Sequence, residues 1–450
     1  MKSEEYINKL ISQVRWEKAH PMIEEEIRQH IEDEKEKYIK FGKDEKEAEE
    51  LAVKQMGNPV DVGKQLDEVH RPMMAWDVVV MTLAAAVVGL IVQFALMKRT
   101  DFSSFMPNPL RGMVTFTLGL IVMMGICMLD YTRIGRHAKA IYILCSMLII
   151  LLEIINQGFP IDLGIDLPIF FNINLGFLML LLIPLYGAVL YRFKGSGYKG
   201  LLKGMLYAVP YMLAGLMSLS VSTCVISWFS CGFMLILAVV KNWFEVPKKR
   251  VIGGMVLCMG ALPVMGIYGL MRIAGVSHRE YIVRRIDVWL HPYQADPDHS
   301  YGKIMLDFIM QNKWVGMNPL LRDDQWSDRL PKGFDFGLTY LAAYYGILAA
   351  LIVVLVIGIL FVRTLVLSVR QKNPMGMMMS AGASLALMIQ FVFSVLVNVG
   401  LIPSIGYCPF ITYGGTGMMV TCILIGILLS VYRYQNVVDE VRVCEGRINA

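Results

Sequence analysis

The chain has 450 residues, of which 56% are hydrophobic and 18% charged, and its mean hydropathy is +0.54. These values exclude an ordinary soluble protein and predict an all-α, polytopic membrane protein. The formal net charge of +5 decides little, because the position of Lys and Arg relative to the spans carries the information. The eight cysteines show no CxxC or Cys/His spacing and therefore predict no metal site.

Residues 1–72 are rich in Glu and Lys and are predicted to form a small, separate, cytoplasmic helical domain. Apolar residues recur at helical spacing in a first segment and again after Pro21. Asp44 is placed to cap a third helix, which stops at Gly57-Asn58-Pro59, and a fourth helix is expected near 60–69. No apolar stretch typical of a signal peptide comes first, so the first span is expected to act as its own insertion signal.

The same segment resembles the short prefix domain found ahead of some bacterial permeases. Gly42 before the third helix and Met56-Gly57-Asn58-Pro59 after it carry this resemblance. It implies a regulatory or interaction module that has no chemistry of its own.

From Met74 onwards the chain consists of apolar runs of about 20 residues, the length that a helix needs to cross a bilayer. We predict a membrane domain of about ten spans at 73–435, followed by a cytoplasmic tail at 436–450. The spans lie near 75–97, 113–130, 138–156, 173–191, 203–219, 221–240, 251–272, 337–362, 376–401 and 412–432.

Alternate connections between the spans are short and strongly basic, which predicts that they are cytoplasmic. The connections that alternate with these basic ones, around Asp162 and around Pro403, are neutral or acidic. An even number of spans then places both termini inside the cell, at the plasma membrane, and a large loop at 273–336 outside. The basic connections carry Arg133 and Arg136, Arg192 to Lys203, Lys241 to Arg250, and Arg363 to Lys372.

The predicted outer loop ends at Asp335, where the chain re-enters the bilayer. A carboxylate is costly to desolvate at that position, so we predict that Asp335 is catalytic. The alternative is that Asp335 caps the eighth span, as Asp commonly does.

Other charged residues of the loop suggest ligands. Arg284 and Arg285 are placed to bind a lipid pyrophosphate through guanidinium forks, although headgroup contact or internal salt bridging explains them equally well. Aspartates at 296, 298, 323, 324 and 328 could bind a divalent cation through their carboxylate oxygens. No spacing motif supports such a site, and we predict no cofactor.

The last outer connection, 400–417, contains glycine pairs and prolines that break helices. Irregular backbone at membrane depth is tolerated only against protein or a water-lined cavity. Close helix packing by small residues is the alternative explanation.

Pro409-Phe410-Ile411-Thr412-Tyr413-Gly414-Gly415-Thr416 closely resembles the PF-[IV]-SYGGS signature of the FtsW/RodA/SpoVE family, also called SEDS (shape, elongation, division and sporulation). Asn398 and Gly400-Leu401-Ile402-Pro403 fit the same family stretch. Further matches are Tyr281, Arg285 and Pro292 in the outer loop, followed by Leu330-Pro331, Asp335-Phe336 and Gly346.

This resemblance implies a cell-wall enzyme, a peptidoglycan glycosyltransferase that polymerises lipid II and works with a class B penicillin-binding protein. Asp335 takes the place of the family's catalytic aspartate and Arg285 that of its loop arginine. We assign substrate binding to Arg284, Arg285, Tyr413, Gly414 and Gly415. The expected partners are lipid II, the transpeptidase and membrane lipids, with no nucleic acid.

The chain departs from the family pattern at some positions, and these departures favour a second hypothesis. Ala343-Tyr344 replaces a Glu-Glu pair, and Phe171-Asn172-Ile173-Asn174 stands where the family has an acid and a base. The second hypothesis is a non-catalytic scaffold that binds lipid II and regulates a transpeptidase. A third hypothesis, a transporter of a lipid-linked precursor, follows from the permease-like prefix. Few ionisable residues lie in the middle of the spans, Glu153 being the main one, and this argues against a coupled proton or ion pathway.

Overall fold

The computed structural model describes residues 2–98, 109–158, 175–217, 221–273, 283, 287, 290–291, 301–322, 334–402 and 406–436. All regular structure in these ranges is helical. The chain divides into two compact units, which are described in turn. One contains Met1–Ala75, Gln371–Pro374 and the described residues from Tyr432 onwards, and the other contains Trp76–Arg370 and Met375–Val431.

The N-terminal segment of the first unit contains four helices around a small apolar core. The core side chains include Tyr6, Leu10, Ile23 and Val53, all of which are buried. The Tyr6 hydroxyl donates to the carbonyl of Met56 at the end of the third helix (3.1 Å), which ties the first helix to the third. The four helices are α1 (Ser3–Ile11), α2 (His20–Lys40), α3 (Glu45–Gln55) and α4 (Pro59–His70).

The helix ends agree with the sequence prediction in part. Asp44 occupies the N-cap position of α3, but its side chain makes no capping hydrogen bond. Asn58 instead provides a cap one helix later, where its side chain accepts from the Val60 N–H (3.1 Å) at the start of α4. The predicted cap at Asp44 was therefore right in position and wrong in mechanism.

The first unit also holds residues from the other end of the chain. The backbone N–H of Met73 donates to the carbonyl of Arg433 (3.2 Å). The rings of Trp16 and Tyr434 lie with centroids 6.0 Å apart. The segment after Val431 thus packs against the N-terminal helices, a contact between distant positions that the sequence did not indicate.

Residues 1–72 are expected to be soluble and helical when expressed alone, because their core is built from side chains within that range. Circular dichroism of the purified fragment measures this, and a random-coil spectrum would refute it. Ile23→Asp serves as a control. It places a charge at a fully buried position, so the helical signal should be lost.

The second unit contains the apolar helices. Among the described residues, seven are long and apolar enough to cross a membrane. They are Trp76–Met97, Arg111–Met128, Ala138–Ile155, Thr223–Val240, Ile347–Val369, Pro374–Asn398 and Gly415–Arg433. The other three predicted spans fall on a shorter apolar helix, Gly176–Tyr191, and on the helices Gly197–Met217 and Lys248–Ile273.

The helices of this unit are numbered on from the first four. They are α5 (Trp76–Met97), α6 (Pro109–Met128), α7 (Tyr131–Arg136), α8 (Ala138–Gly158), α9 (Leu175–Leu178), α10 (Leu182–Tyr191), α11 (Gly197–Met217), α12 (Val221–Val240), α13 (Lys248–Ile273), α14 (Tyr301–Met310), α15 (Gly337–Tyr345), α16 (Ile347–Val369), α17 (Pro374–Asn398) and α18 (Gly415–Arg433).

The predicted continuous span at 337–362 is wrong, because the chain breaks at Gly346 into α15 and α16. Gly346 has φ +105°, a conformation that residues other than glycine rarely adopt. A Cβ at this position would also lie 2.7 Å from the Cα of Val315. A neighbouring segment of the predicted outer loop therefore occupies the space beside the break.

That segment, 313–318, satisfies backbone groups that the break leaves without helical partners. Asn318 fixes it from behind, since its buried side chain donates to the carbonyl of Phe308 (2.9 Å). Four backbone hydrogen bonds then join the segment to the break: Gly316 N–H to Tyr345 O (3.2 Å), Asn318 N–H to Ala343 O (2.7 Å), Ile347 N–H to Lys313 O (3.0 Å) and Leu348 N–H to Trp314 O (3.2 Å).

Three of the basic connections lie together at one end of the helices. Arg192 donates to the carbonyl of Arg136, and the N–H of Gly195 donates to the carbonyl of Trp243 (2.7 Å). These contacts place like-charged connections on the same side, which is the arrangement that the positive-inside pattern predicts.

Which side faces the cytoplasm stays a prediction with a direct test. A cysteine introduced at Ser300 is expected to react with a membrane-impermeant thiol reagent in intact cells. A cysteine at Ser196, within a basic connection, should react only after the membrane is opened. The reverse pattern of labelling would overturn the orientation.

Candidate functional site

Asp335 lies in a single 3-10 turn, Phe334–Phe336, immediately before α15. Its side chain is partly buried, and burial raises the pKa of this carboxyl above its ordinary value of 3.8. The N-cap residue of α15 is Phe336, and its side chain makes no capping hydrogen bond. The alternative assignment of Asp335 as a helix cap is therefore wrong.

Asn398 performs the capping from the end of α17. Its Oδ1 accepts from the backbone N–H of Thr339 (3.1 Å), and its Nδ2 donates to the backbone carbonyl of Asp335 (2.9 Å). The Thr339 hydroxyl donates to the Asn398 carbonyl (2.7 Å). Asn398 and Thr339 are both buried, so these bonds hold the start of α15 in a fixed position and leave the Asp335 carboxylate free for other contacts.

The stretch that carries the family signature forms an irregular loop, 406–414, packed between helices. Phe410 has φ +68°, which is uncommon for a bulky residue. The Thr412 hydroxyl accepts from the N–H of Cys408 (2.7 Å) and closes the turn around it. Deeper in the fold, the side chain of Gln390 donates to the carbonyl of Tyr407 (2.6 Å).

Helix α5 supports the loop from another side through two residues. The buried side chain of Gln93 donates to the carbonyl of Ile411 (3.1 Å). One turn earlier, a Cβ added at Gly89 would lie 2.9 Å from the carbonyl carbon of Phe410 and closer still to its oxygen. The absence of a side chain at Gly89 thus allows the loop backbone to approach the helix.

The structure brings Asp335 and the signature loop together. A Cβ at Gly337 would lie 2.8 Å from Cγ2 of Ile411, so α15 begins in contact with the loop. Burial raises the pKa of the Cys408 thiol to about 12, and the negative charge of Asp335 adds to that shift. The two motifs, more than sixty positions apart in the sequence, therefore border one site.

The predicted substrate-binding residues of the loop differ in their exposure to solvent. Gly414 is exposed, with no atom within 4 Å of an added Cβ, and Gly415 is buried where it begins α18. Tyr413 is partly buried, and the guanidinium carbon of Arg111 lies 6.0 Å from its ring centroid. Arg284 and Arg285, and the loop aspartates that left a cation open, lie outside the described residues.

Three residues that support the site were not predicted from the sequence as supports: Gly89, Gln93 and Asn398, the last of which was part of the resemblance. A signal for the first two was present, since a glycine and an amide lie one turn apart in an otherwise apolar span. Ala343 and Tyr344, which replace an expected acidic pair, are buried in α15.

Comparisons with known proteins agree with this arrangement. The FtsW/RodA/SpoVE family, described as a cell cycle protein family, matches residues 73–437. A probable peptidoglycan glycosyltransferase FtsW of Marinobacter nauticus is 29% identical over 176 residues, which cover 38% of this chain and 44% of that protein. A protein of the same description from Geobacter sulfurreducens is 26% identical over 224 residues, 46% and 60% of the two chains. The chain thus spans about half the length of these relatives.

Solved structures share the fold. A chain from a peptidoglycan synthase complex superposes with a TM-score of 0.63 at 18% identity, over 80% of this chain and 98% of its own. The rod shape determining protein RodA of Thermus thermophilus gives a TM-score of 0.54 at 16% identity, over 80% and 97%. With the family match extending over most of the sequence and both of its characteristic motifs meeting at one site, the chain belongs to the FtsW/RodA/SpoVE family.

Proposed function

We propose that this protein is a membrane glycosyltransferase that polymerises lipid II into the glycan strands of peptidoglycan, serving cell shape, division or sporulation. The observation that carries the proposal is the contact between the start of α15, immediately after Asp335, and the signature loop. Relatives named as probable peptidoglycan glycosyltransferases support the same activity.

In the proposed reaction, Asp335 is the general base. Its carboxylate accepts the proton of the acceptor sugar's 4-hydroxyl as that oxygen attacks the anomeric carbon of the donor. A carbon–oxygen bond forms there, and the bond from the same carbon to the phosphate oxygen breaks. Undecaprenyl pyrophosphate leaves, and its charge is offset by Arg284 and Arg285 in the proposal. In the proposal Tyr413 and the exposed Gly414 contact the substrate, and the buried Gly415 shapes the loop behind them.

The elevated pKa of Asp335 suits this role. A general base works best when its pKa approaches the working pH, provided that enough of it is ionised. Asn398 and Thr339 fix the backbone around Asp335 without consuming its carboxylate. The site thus combines a positioned backbone with a carboxylate that pairs with no cation among the described residues.

A second candidate function is a non-catalytic scaffold that binds lipid II and regulates a transpeptidase. Ala343 and Tyr344 favour it, because they stand where the resemblance implies two glutamates and both are buried. Under this alternative, lipid II binds but no glycan forms.

A class B penicillin-binding protein is the proposed partner. The solved chain with the TM-score of 0.63 comes from a peptidoglycan synthase complex, which supports such an assembly. On this chain, α16 carries large exposed apolar side chains in its spanning segment, including Leu348, Ile352 and Leu355. They offer a surface for a single-span partner or for lipid.

The purified full-length protein, incubated with labelled lipid II, tests the proposal. Glycan polymer is expected from the wild type, in larger amounts when the class B partner is added. Retained binding of lipid II without polymer in either condition would establish the scaffold instead.

A further inference from the structure

Arg111 is a cation that the proposed mechanism does not use. It lies in the first turn of α6, and its guanidinium carbon is 6.0 Å from the ring centroid of Tyr413. Arg111 is partly exposed, and within the described part of the chain no carboxylate pairs with it. The ring restricts its position by a cation–π contact, while its N–H groups stay available to a ligand.

A series of contacts through neighbouring residues places Arg111 beside the Asp335 site. A Cβ added at the adjacent Gly112 would lie 3.1 Å from Oε1 of Gln93 and 3.7 Å from the ring of Tyr413. Gln93 donates to the carbonyl of Ile411, whose side chain contacts the residue two positions after Asp335. The cation and the carboxylate therefore border the same short loop.

A guanidinium that no described carboxylate neutralises, beside a site for a lipid-linked sugar, matches the chemistry of a pyrophosphate. Arginine presents a planar fork of N–H donors that binds phosphate oxygens bidentately, and a ring that holds the fork reduces the entropy lost on binding. We propose that Arg111, held on Tyr413, binds the pyrophosphate of the lipid-linked substrate. This inference rests on the proposed function for the identity of that ligand.

Binding of undecaprenyl pyrophosphate by the full-length protein in phosphatidylcholine nanodiscs tests the inference. Arg111→Gln is expected to weaken binding by about 10–100-fold, as for the loss of a charge-assisted hydrogen bond. Arg111→Lys keeps the charge and lacks the fork, so its affinity for undecaprenyl pyrophosphate should lie between those of the wild type and Arg111→Gln. Tyr413→Leu, which removes the ring, should bind about 2–10-fold more weakly than the wild type.

Arg272 provides a matched control. Its guanidinium carbon lies 5.3 Å from the ring centroid of Tyr268, at the end of α13 that precedes the outer loop. Arg272→Gln therefore removes the same kind of pair from a different helix and should leave binding unchanged. Equal weakening by Arg272→Gln and Arg111→Gln would overturn the inference, since it would reflect general surface charge.

A second arm separates the lipid pyrophosphate from ordinary headgroups. Labelled phosphatidylglycerol replaces the pyrophosphate as the probe, and Arg111→Gln should not alter its binding. If Arg111→Gln reduces only phosphatidylglycerol binding, Arg111 is a headgroup contact and the inference fails. Arg111-dependent pyrophosphate binding by a protein that makes no polymer would sustain the inference and refute the proposed enzyme. If the wild type polymerises lipid II but Arg111→Gln binds undecaprenyl pyrophosphate as tightly as the wild type, the proposed enzyme stands and the inference about Arg111 fails.

Discussion

Asp335→Asn is expected to slow polymerisation of lipid II by about 10²–10⁴-fold, the usual contribution of a general base. The amide cannot accept the proton of the attacking hydroxyl, yet it has nearly the same size and shape. The fold should survive the change, because the bonds that fix this turn use the backbone carbonyl of residue 335 and not its carboxylate. Rates are compared at equal amounts of protein in the membrane.

The pH dependence of the reaction gives a second measurement of the same group. A base acts only when it is ionised, so the rate should fall as the pH falls through the pKa of Asp335. Burial raises that pKa, so the acidic limb of the profile should lie above the ordinary value of 3.8. The residual rate of Asp335→Asn should therefore not fall over the same range of pH.

Asp287→Asn is the matched control, since it neutralises a carboxylate of the same loop that is 72% exposed. It should polymerise at the wild-type rate. Equal rates for Asp335→Asn and the wild type would remove Asp335 from the mechanism. A loss of folded protein in Asp335→Asn, detected by size-exclusion chromatography, would show that the carboxylate has a structural role that the hydrogen bonds do not indicate.

Gly89→Ala is expected to destabilise the membrane domain by about 1–3 kcal/mol, as overpacking does. The added methyl group would lie 2.9 Å from the backbone carbonyl carbon of Phe410, and backbone cannot rotate away as a flexible side chain can. The loop should be displaced from α5, which also stretches the bond from Gln93 to Ile411. We expect a lower melting temperature in detergent and a lower polymerisation rate.

Gly125→Ala is the control for the second prediction. Gly125 lies within α6, and no atom is within 4 Å of an added Cβ. Alanine is favoured over glycine in a helix by about 1 kcal/mol, so this variant should be as stable as the wild type or slightly more stable. A melting temperature for Gly89→Ala equal to that of Gly125→Ala would show that α5 and the loop are not in close contact.

Much of the fold could be predicted from the sequence, because span length and the basic connections are local properties. The apolar run from Met74 becomes α5 almost as expected, and the four N-terminal helices follow their turn residues. The break at Gly346 was missed, since the surrounding residues are mostly apolar. The positive φ of Gly346 and the close approach of Val315, which both require a glycine there, are set by the fold.

The candidate site was predictable in its residues and not in its construction. Asp335 and the signature loop stand out locally, through a carboxylate at a membrane boundary and a run of helix-breaking residues. Their contact depends on long-range partners, Asn398 and Gln93, whose side chains look like ordinary polar residues in apolar helices. A single sequence does not say which backbone groups those amides meet.

The four hydrogen bonds between segment 313–318 and the break at Gly346 have a consequence for protein engineering. In a chimera that exchanges the predicted outer loop but keeps α15 and α16, the break would lose these partners. The bond from Asn318 to Ala343 joins two buried residues, and a buried polar group left unsatisfied costs about 1–3 kcal/mol. The loop from Lys313 and the two helices after it should therefore be transplanted as one inseparable cassette, with the joints placed elsewhere.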